Sequence, residues 1–358
     1  MNKDSLIDFV EETTGERHFR VEEDFGNGFV RLESSEAERR QAKQDIRCIE
    51  DAVIEMLRNS RDAGAHLMFL ATSKSGNTRN ITLIDDGQGI PESLHELVFE
   101  PRITSKLDSF HADRWGVHGR GMALYSIKAN TEAAFVCDSA PGKGTSLRVI
   151  SNTDVLPEKT DQSCIPLLVE DEGRAVFRGP KNINRTVAEF SLDERENSLV
   201  FVGSSIEIAS TLFAMGSKIY SEKERIFHKD LSEYPLYVRP AFASDPAELS
   251  QICAGLGLEL SERSARRVMD GKIEPLSPFI QVLMAAQKPK KTRSKSGSDE
   301  HWAFSLTDED KEFLASSMKD AFSRVASGYY LSEHVEPEVS VRNGQLIIKI
   351  PLTPEPGD

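Results

Sequence analysis

Four short motifs occur in a fixed order between Glu55 and Thr145, and together they constrain the fold more than any other feature of the sequence. The first is Glu55-Met-Leu-Arg-Asn-Ser-Arg-Asp-Ala-Gly-Ala65. Three glycine-bearing turns follow it, namely Asp85-Asp-Gly-Gln-Gly89, Gly116-Val-His-Gly-Arg-Gly121 and Gly142-Lys-Gly-Thr145. Each motif alone is a weak signal, whereas a carboxylate-bearing helix followed by three such turns indicates a nucleotide site.

The first motif predicts a helix with one polar and one apolar face. Because an α-helix turns by about 100° per residue, the side chains of Glu55, Asn59 and Asp62 fall within about 60° of one another. An apolar stripe lies on the other side of the predicted helix and consists of Ile46, Ile49, Val53 and Leu57. Gly64 is positioned to end the helix. Taken alone, the segment is explained equally well by a solvated helix face with ordinary surface charges.

The second motif follows a predicted strand over residues 79–84. A carboxylate at the end of a strand, here Asp85, can accept a hydrogen bond from an amine. The glycines that follow, Gly87 and Gly89, leave bare backbone that a flat ligand can approach closely. The alternative is a plain β-turn, since Asp-Gly is a common turn signal.

The third motif leads into an apolar periodic segment from Met122 onward. This order is typical of a loop that feeds a helix N-terminus, where free N–H groups attract phosphate. Its spacing is not that of the dinucleotide-binding fingerprint, and the sequence contains no phosphate-loop motif of the Gly-x-x-x-x-Gly-Lys-Ser/Thr type. The fourth motif predicts a tight turn into a strand at Thr145, for which a simple hairpin is the alternative.

In their order, these motifs resemble those of the GHKL superfamily, which holds the gyrase B ATPase, Hsp90, the histidine-kinase catalytic domain and the MutL mismatch-repair ATPase. The resemblance covers residues 44–150. Residues 59–65, 104–106 and 119–127 resemble MutL, whereas Val98-Phe-Glu-Pro101 resembles the F box of histidine kinases. The resemblance implies an α+β fold of the Bergerat type, an α/β sandwich in which helices cover a mixed sheet, with additional C-terminal α/β regions.

The resemblance also implies roles in binding ATP and Mg²⁺. Glu55 is expected to be the catalytic base that orients or deprotonates the attacking water, and Asn59 to bind the metal. Asp85 is expected to accept a hydrogen bond from the adenine amino group, and Asp62 to brace the site. The other expected nucleotide contacts are Gly87, Gly89 and Thr145 near the base, Thr104, Ser105 and Lys106 near the phosphates, and Gly116, Gly119 and Gly121 in a lid.

The function favoured by these residues is a slow ATPase that acts as a conformational switch, with closure of residues 100–121. Only about 43 residues precede the segment that resembles the GHKL superfamily, which is short for a dimerising hairpin of two long helices. In addition, His18 lacks the acidic residue and the proline that usually follow a phosphorylated histidine. Three alternatives stay open: a histidine-kinase-type phosphotransfer domain, a nucleotide-gated DNA-binding module and a nucleotide sensor without chemistry. An unidentified protein partner and a homodimer are compatible with all of them.

Composition agrees with a globular protein. The 358 residues allow two or three domains, and a hydrophobic content of 39% with 28% charged residues is ordinary. The sequence has neither a signal peptide nor an apolar run long enough for a membrane span. The four cysteines are widely spaced, which favours reduced thiols in a cytoplasm. The net charge of −14 argues against a surface that binds nucleic acid throughout.

The remaining sequence is divided as follows: an N-terminal arm (1–43), the ATP domain (44–152), a second domain (153–286) with helices over 244–284, a basic flexible linker (287–300) and a small α+β piece (301–358). Within 261–295, nine basic residues accompany three acidic ones. This reversal of charge makes 261–295 a candidate DNA contact. The alternative is a helical hairpin followed by a basic linker.

Overall fold

The computed structural model describes residues 21–26, 28–105, 111–113, 116–118, 121–159, 161–171, 174–227, 230–287, 308–326, 331–332, 335–342 and 345–352. The chain divides into two units, Met1–Lys290 and Lys291–Asp358. The division falls inside the segment predicted to be a linker.

The first unit alternates helices and strands along the chain. Its first half contains β1 (Val21–Gly26), β2 (Phe29–Leu32), α1 (Glu36–Asp45), α2 (Ile49–Asp62), β3 (Leu67–Ser75), β4 (Thr78–Asp85), β5 (Ile103–Thr104), β6 (His111–Asp113), β7 (Gly116–His118), α3 (Ala123–Asn130), β8 (Ala133–Ala140) and β9 (Gly144–Asn152). Its second half contains β10 (Leu167–Asp171), β11 (Arg174–Arg178), α4 (Ile183–Asp193), β12 (Leu199–Gly203), α5 (Ser205–Ile219), α6 (Glu222–Ile226), α7 (Pro246–Gly255), α8 (Glu262–Met269) and α9 (Phe279–Gln287). Short 3₁₀ turns span Glu92–Leu94, Leu97–Phe99, Leu231–Glu233 and Leu236–Phe242.

A five-stranded mixed sheet forms the centre of this unit, with the strand order β12-β3-β4-β9-β8. Strand β12 runs parallel to β3, and the other neighbours are antiparallel. The register pairs Asp85 of β4 with Thr145 of β9. The second and fourth sequence motifs therefore meet at one end of the sheet.

Helices cover both faces of the sheet, because successive side chains of a strand point to opposite faces. Met68 and Leu70 of β3 pack on the front face, in one core with α2, α3, α4 and α9. Phe69 and Ala71 pack on the back face, in a second core with α5, α7, α8 and the turn Leu236–Phe242. The predicted α+β sandwich of the Bergerat type, a mixed sheet covered by helices, is confirmed.

The segment 153–286 contributes to this same sandwich. It supplies the parallel edge strand β12, the back helices α5, α7 and α8, and the front helices α4 and α9. A domain boundary was expected at residue 152, but the central sheet contains strands from both sides of this residue. A parallel pair such as β3 and β12 needs a long crossover connection, and local turn signals do not reveal such a pairing.

The second unit contains helix α10 (Asp308–Ala326) and the hairpin of β13 (Glu338–Arg342) with β14 (Gln345–Lys349). Arg342 pairs with Gln345, which agrees with the hairpin that the sequence predicts on Asn343-Gly344. The two turn residues themselves lie outside the described residues. Within the described ranges, no helix is long and apolar enough to cross a bilayer.

Candidate functional site

Helix α2 presents the polar side chains of the first motif to a cavity of about 970 Å³. Its opposite side, with Val53 and Leu57, is fully buried in the front core. Glu55, Asn59 and Asp62 all line the cavity. Ile46, which the sequence assigns to the same helical stripe, lies before the helix in the connection from α1 and is buried there.

The end of α2 fixes how this helix approaches the sheet. Ala63 caps the helix, and Gly64 adopts a φ of 73°. The N–H of Gly64 donates to the carbonyl of Arg61 at 2.8 Å, and the N–H of Ala65 donates to the carbonyl of Ser60 at 3.0 Å. This pair of bonds is a Schellman motif, whose left-handed position favours glycine. Its effect is to direct the chain into β3 beside β4.

Asp85 is buried at the end of β4, with 5% of its surface exposed. Its Oδ2 accepts a hydrogen bond from the Ser60 hydroxyl at 2.6 Å. Its Oδ1 accepts from the N–H groups of Gly87 at 2.9 Å and Thr145 at 3.2 Å. Burial raises the pKa of the Asp85 carboxyl to about 6, against the opposing effect of these three hydrogen bonds. The carboxylate thus joins α2 to the turns of the second and fourth motifs.

Two glycines allow these turns to pack backbone against backbone. Gly89 has a φ of 75°, and a Cβ placed there would lie 2.0 Å from the carbonyl oxygen of Ala140. Gly144 has a φ of 90°, and its Cβ would lie 2.0 Å from the carbonyl oxygen of Asp85. The sequence predicts that Gly87 and Gly89 allow a ligand to approach closely, but the packing of the protein itself already requires glycine at position 89. Gly89 also lines the cavity.

Glu55 forms an ion pair with Arg58, one helical turn away. Nη1 of Arg58 lies 2.5 Å from Oε1 of Glu55, and the two side chains are 5% and 19% exposed, respectively. Both residues line the cavity. The arginine therefore holds the Glu55 carboxylate in one orientation at the cavity wall.

Asn59 carries an unsatisfied polar group. Its Nδ2 is buried and has no hydrogen-bond partner among the residues that the structure describes. Leaving such a group unpaired costs about 1–3 kcal/mol, and a ligand oxygen that accepts a hydrogen bond from it would remove this cost. The amide can rotate to present its oxygen, and oxygen is the ligand atom that Mg²⁺ prefers. On this observation, Asn59 fits a metal-bound triphosphate.

One hydrogen bond joins the two ends of the predicted lid. The N–H of Arg102 donates to the carbonyl of Gly121 at 2.9 Å. Of the expected lid and phosphate contacts, Thr104, Ser105 and Gly121 line the cavity. Gly116 is the first residue of the short strand β7. Lys106 and Gly119 lie outside the described residues.

Helix α3 begins at the cavity directly after the lid. Gly121, Met122 and Ala123 line the cavity, and the N-cap residue Met122 makes no side-chain cap hydrogen bond. The first N–H groups of an α-helix have no partner within the helix, and they carry a partial positive charge. The start of α3 is therefore suited to an anionic group.

The segment before α2 closes another side of the cavity. Strand β2 pairs with β5, which sets Val30 opposite Thr104. Arg31 forms an ion pair with Glu100, and Arg102 forms one with Glu38. Further residues of this segment line the cavity, namely Gly28, Phe29, Gln41, Gln44, Asp45 and Arg47. The sequence predicts that residues 1–43 form an arm outside the ATP domain. It does not reveal that Gly28, Phe29 and Gln41 line the cavity.

Ser60 and Arg58 were also missed as site residues. Ser60 has a detectable signal, because it falls seven residues after Val53 and three after Leu57 and therefore interrupts the apolar stripe of α2. A hydroxyl in a buried stripe requires a hydrogen-bond partner, and that partner is Asp85. For Arg58, the signal is its spacing of three residues from Glu55.

Comparisons with known proteins agree with this geometry. Residues 44–153 match the family model described as histidine kinase-, DNA gyrase B- and HSP90-like ATPase. This segment is a GHKL-type domain, as the sequence predicts.

Relatives from two bacterial species bear the name DNA mismatch repair protein MutL. The relative from Thermus thermophilus is 38% identical over 80 residues, which is 22% of this chain and 14% of the relative. The relative from Staphylococcus aureus is 30% identical over 132 residues, which is 36% of this chain and 19% of the relative. The chain therefore spans less than one fifth of the length of either protein. A solved structure titled as the N-terminal domain of a DNA repair protein is 21% identical, with a TM-score of 0.24, and covers 34% of this chain and 41% of that chain.

Proposed function

We propose that this protein binds Mg-ATP in the cavity beside α2, hydrolyses it slowly and converts closure of residues 100–121 into a conformational change. The observation that carries the proposal is the joint placement of Asp85, Asn59 and Glu55 on one cavity. An acceptor for a base, a candidate metal ligand and a carboxylate for water activation are then within one site.

Asp85 would recognise the adenine amino group. Each oxygen of a carboxylate can accept two hydrogen bonds, and Oδ2 of Asp85 accepts one from Ser60. With a pKa of about 6, the carboxyl group is mostly ionised at neutral pH and can act as an acceptor. Thr145 would contribute a second polar contact near the base, with Gly87 and Gly89 in the adjoining turn.

Asn59 would hold Mg²⁺, and the lid would hold the phosphates. When bound, the metal supplies positive charge that offsets the charge of the triphosphate. The start of α3 offers free N–H groups to the same anion, and Gly121 precedes it. The other phosphate contacts in the proposal are Thr104, Ser105, Lys106, Gly116 and Gly119.

Glu55 would orient the attacking water and accept its proton, while Arg58 keeps the carboxylate in place. The test is steady-state phosphate release together with ATP binding. The Glu55→Gln variant should bind ATP as the wild type does and lose turnover. Normal turnover by this variant would remove Glu55 from the mechanism. Acid-labile phosphate on the chain after incubation with labelled ATP would instead favour the histidine-kinase alternative.

A DNA-binding role is a second candidate function, and helix α8 supports it. Arg263, Arg266 and Arg267 are exposed on α8, whereas Ala265 and Val268 face the back core. Within the described part of the chain, none of these three arginines forms an ion pair. Residues 288–295 of the basic segment lie outside the described residues. The names of the MutL relatives accord with this role.

The DNA-binding role is tested by titrating duplex DNA at several salt concentrations. Reversing the charge of Arg266 and Arg267 to Glu should weaken binding and flatten its salt dependence. Binding that is unchanged in this variant would exclude α8 as the contact.

Pairing of two copies, an unidentified protein partner and a cytoplasmic location are further parts of the proposal. The described cysteines are all free thiols, in keeping with that location.

A further inference from the structure

A second cavity lies on the back face of the central sheet and has a volume of about 300 Å³. Strands β4 and β9 lie between the two cavities, and successive residues of each strand face opposite cavities. Leu83 and Leu147 line the front cavity, whereas their neighbours Thr82 and Arg148 line the back one. The first residues of α5 and α8 complete the wall. No part of the proposed ATP site involves this back cavity.

Arg148 is the basic group among the residues that line the back cavity, and its side chain is only 13% exposed. Its Nη2 donates to Oδ1 of Asn80 at 3.1 Å and to Oε1 of Glu259 at 2.5 Å. Its Nε is buried and has no hydrogen-bond partner among the described residues. A guanidinium group binds an oxyanion best through two parallel N–H bonds, and here one of the two is unused.

Glu259 accepts the hydrogen bond from the second nitrogen, Nη2 of Arg148. Its side chain is 74% exposed, so the carboxylate returns to water readily when another anion replaces it. Ion pairs of such exposed residues contribute little to stability. A bound anion can therefore displace the Glu259 carboxylate from Arg148.

Hydroxyl groups complete the lining. Ser264 in the first turn of α8 and Ser205 at the start of α5 both border the cavity. The Ser261 hydroxyl donates to the Ser264 hydroxyl at 3.1 Å, so the proton of Ser264 remains available to a ligand. Hydroxyl donors and an arginine in the wall of one cavity are suited to the oxygens of a phosphate or a carboxylate.

We propose that the back cavity binds a small oxyanion, the phosphate or carboxylate group of a metabolite, on Nε and Nη2 of Arg148, with displacement of Glu259. A cavity of about 300 Å³ is at the lower end of the range for small-molecule sites, which limits the ligand to a compact molecule. The proposal does not depend on ATP binding at the front cavity.

The test measures the melting temperature and the calorimetric affinity of the full chain with inorganic phosphate and, separately, with acetate. Sodium chloride at the same ionic strength is the reference. At least one of the two anions should raise the melting temperature, and the anion with the larger effect identifies the chemical class. Arg148→Gln should abolish the effect. Arg40→Gln, which removes one exposed positive charge from α1, should retain it.

Glu259→Gln provides an independent arm at an exposed position. Removal of the competing carboxylate should tighten anion binding by about two- to fivefold, as expected from the small contribution of an exposed ion pair. If Arg148→Gln does not fold, this arm decides the outcome. Unchanged or weaker binding by Glu259→Gln, retained binding by folded Arg148→Gln, or no effect of either anion on the wild type would overturn the proposal.

Discussion

The Ser60 hydroxyl on helix α2 donates a 2.6 Å hydrogen bond to the buried carboxylate of Asp85 at the end of strand β4. This bond links the first and second sequence motifs at the wall of the front cavity. Because Ser60 follows Asn59 directly, the position of the candidate metal ligand is coupled to the position of the candidate base acceptor. Disturbing this one contact should therefore affect both stability and nucleotide binding.

ATP affinity should depend on pH through Asp85. Burial raises the pKa of this carboxyl to about 6, and the ionised form, which carries no proton on either oxygen, is the stronger acceptor for the adenine amino group. Affinity should therefore be nearly constant above pH 7 and fall by about tenfold between pH 7 and pH 5, following the loss of the ionised fraction. Calorimetric titrations across this range measure the effect. An affinity that does not change down to pH 5 would contradict this role of Asp85.

Replacing Ser60 by alanine should lower the free energy of unfolding by about 1–3 kcal/mol, because the buried carboxylate loses a donor. The same change should shift the midpoint of the pH dependence of ATP binding to higher pH. Urea denaturation measures the first effect. Ser191→Ala is the matched control, since Ser191 is equally buried and its hydroxyl has no partner among the described residues. Equal losses in the two variants would show that the hydrogen bond contributes nothing.

Gly89→Ala should destabilise the protein through both backbone strain and collision. The new Cβ would meet the Ala140 carbonyl oxygen at 2.0 Å, at a φ of 75°. Gly142 has a similar φ of 72°, with no atom within 4 Å of the equivalent Cβ, so Gly142→Ala isolates the strain. We expect about 1–2 kcal/mol for Gly142→Ala and at least about 2 kcal/mol more for Gly89→Ala. Urea denaturation of both variants provides the comparison, and similar values would refute the predicted collision.

Arg58→Met should reduce kcat by about tenfold or more and change the affinity for ATP by less than about threefold. The reason is that Arg58 forms an ion pair with Glu55, so its loss leaves the carboxylate that orients the attacking water without a fixed position. Phosphate release under saturating ATP, together with calorimetry, separates the two effects. Arg40→Gln, which alters an exposed arginine of α1, is the control. A loss of affinity as large as the loss of kcat would argue against a positioning role.

The local parts of the fold could be predicted from the sequence. The shared face of Glu55 and Asn59 follows from helical spacing, and the end of α2 follows from Gly64. The starts of α5 and α7 likewise follow from short signals, a Ser-x-x-Glu capping box at Ser204 and an Asp-Pro pair at Asp245. Each of these features depends on residues close together along the chain.

Contacts between distant segments could not be predicted in this way. The parallel pairing of β12 with β3 and the pairing of β2 with β5 join segments that carry no mutual signal. The ion pair between Arg102 and Glu38 depends on those pairings, so it was equally hidden. The sequence predicted several residues that line the front cavity but not all of the segments that enclose it.

The most direct test of the account is calorimetric titration of Mg-ATP into the wild type and the Asp85→Asn variant, with circular dichroism to confirm that both are folded. The account predicts that the wild type binds ATP and that the variant loses at least about a hundredfold in affinity, because the adenine amino group then faces a buried donor instead of an acceptor. Retained affinity in folded Asp85→Asn, or no ATP binding by the wild type, would contradict it.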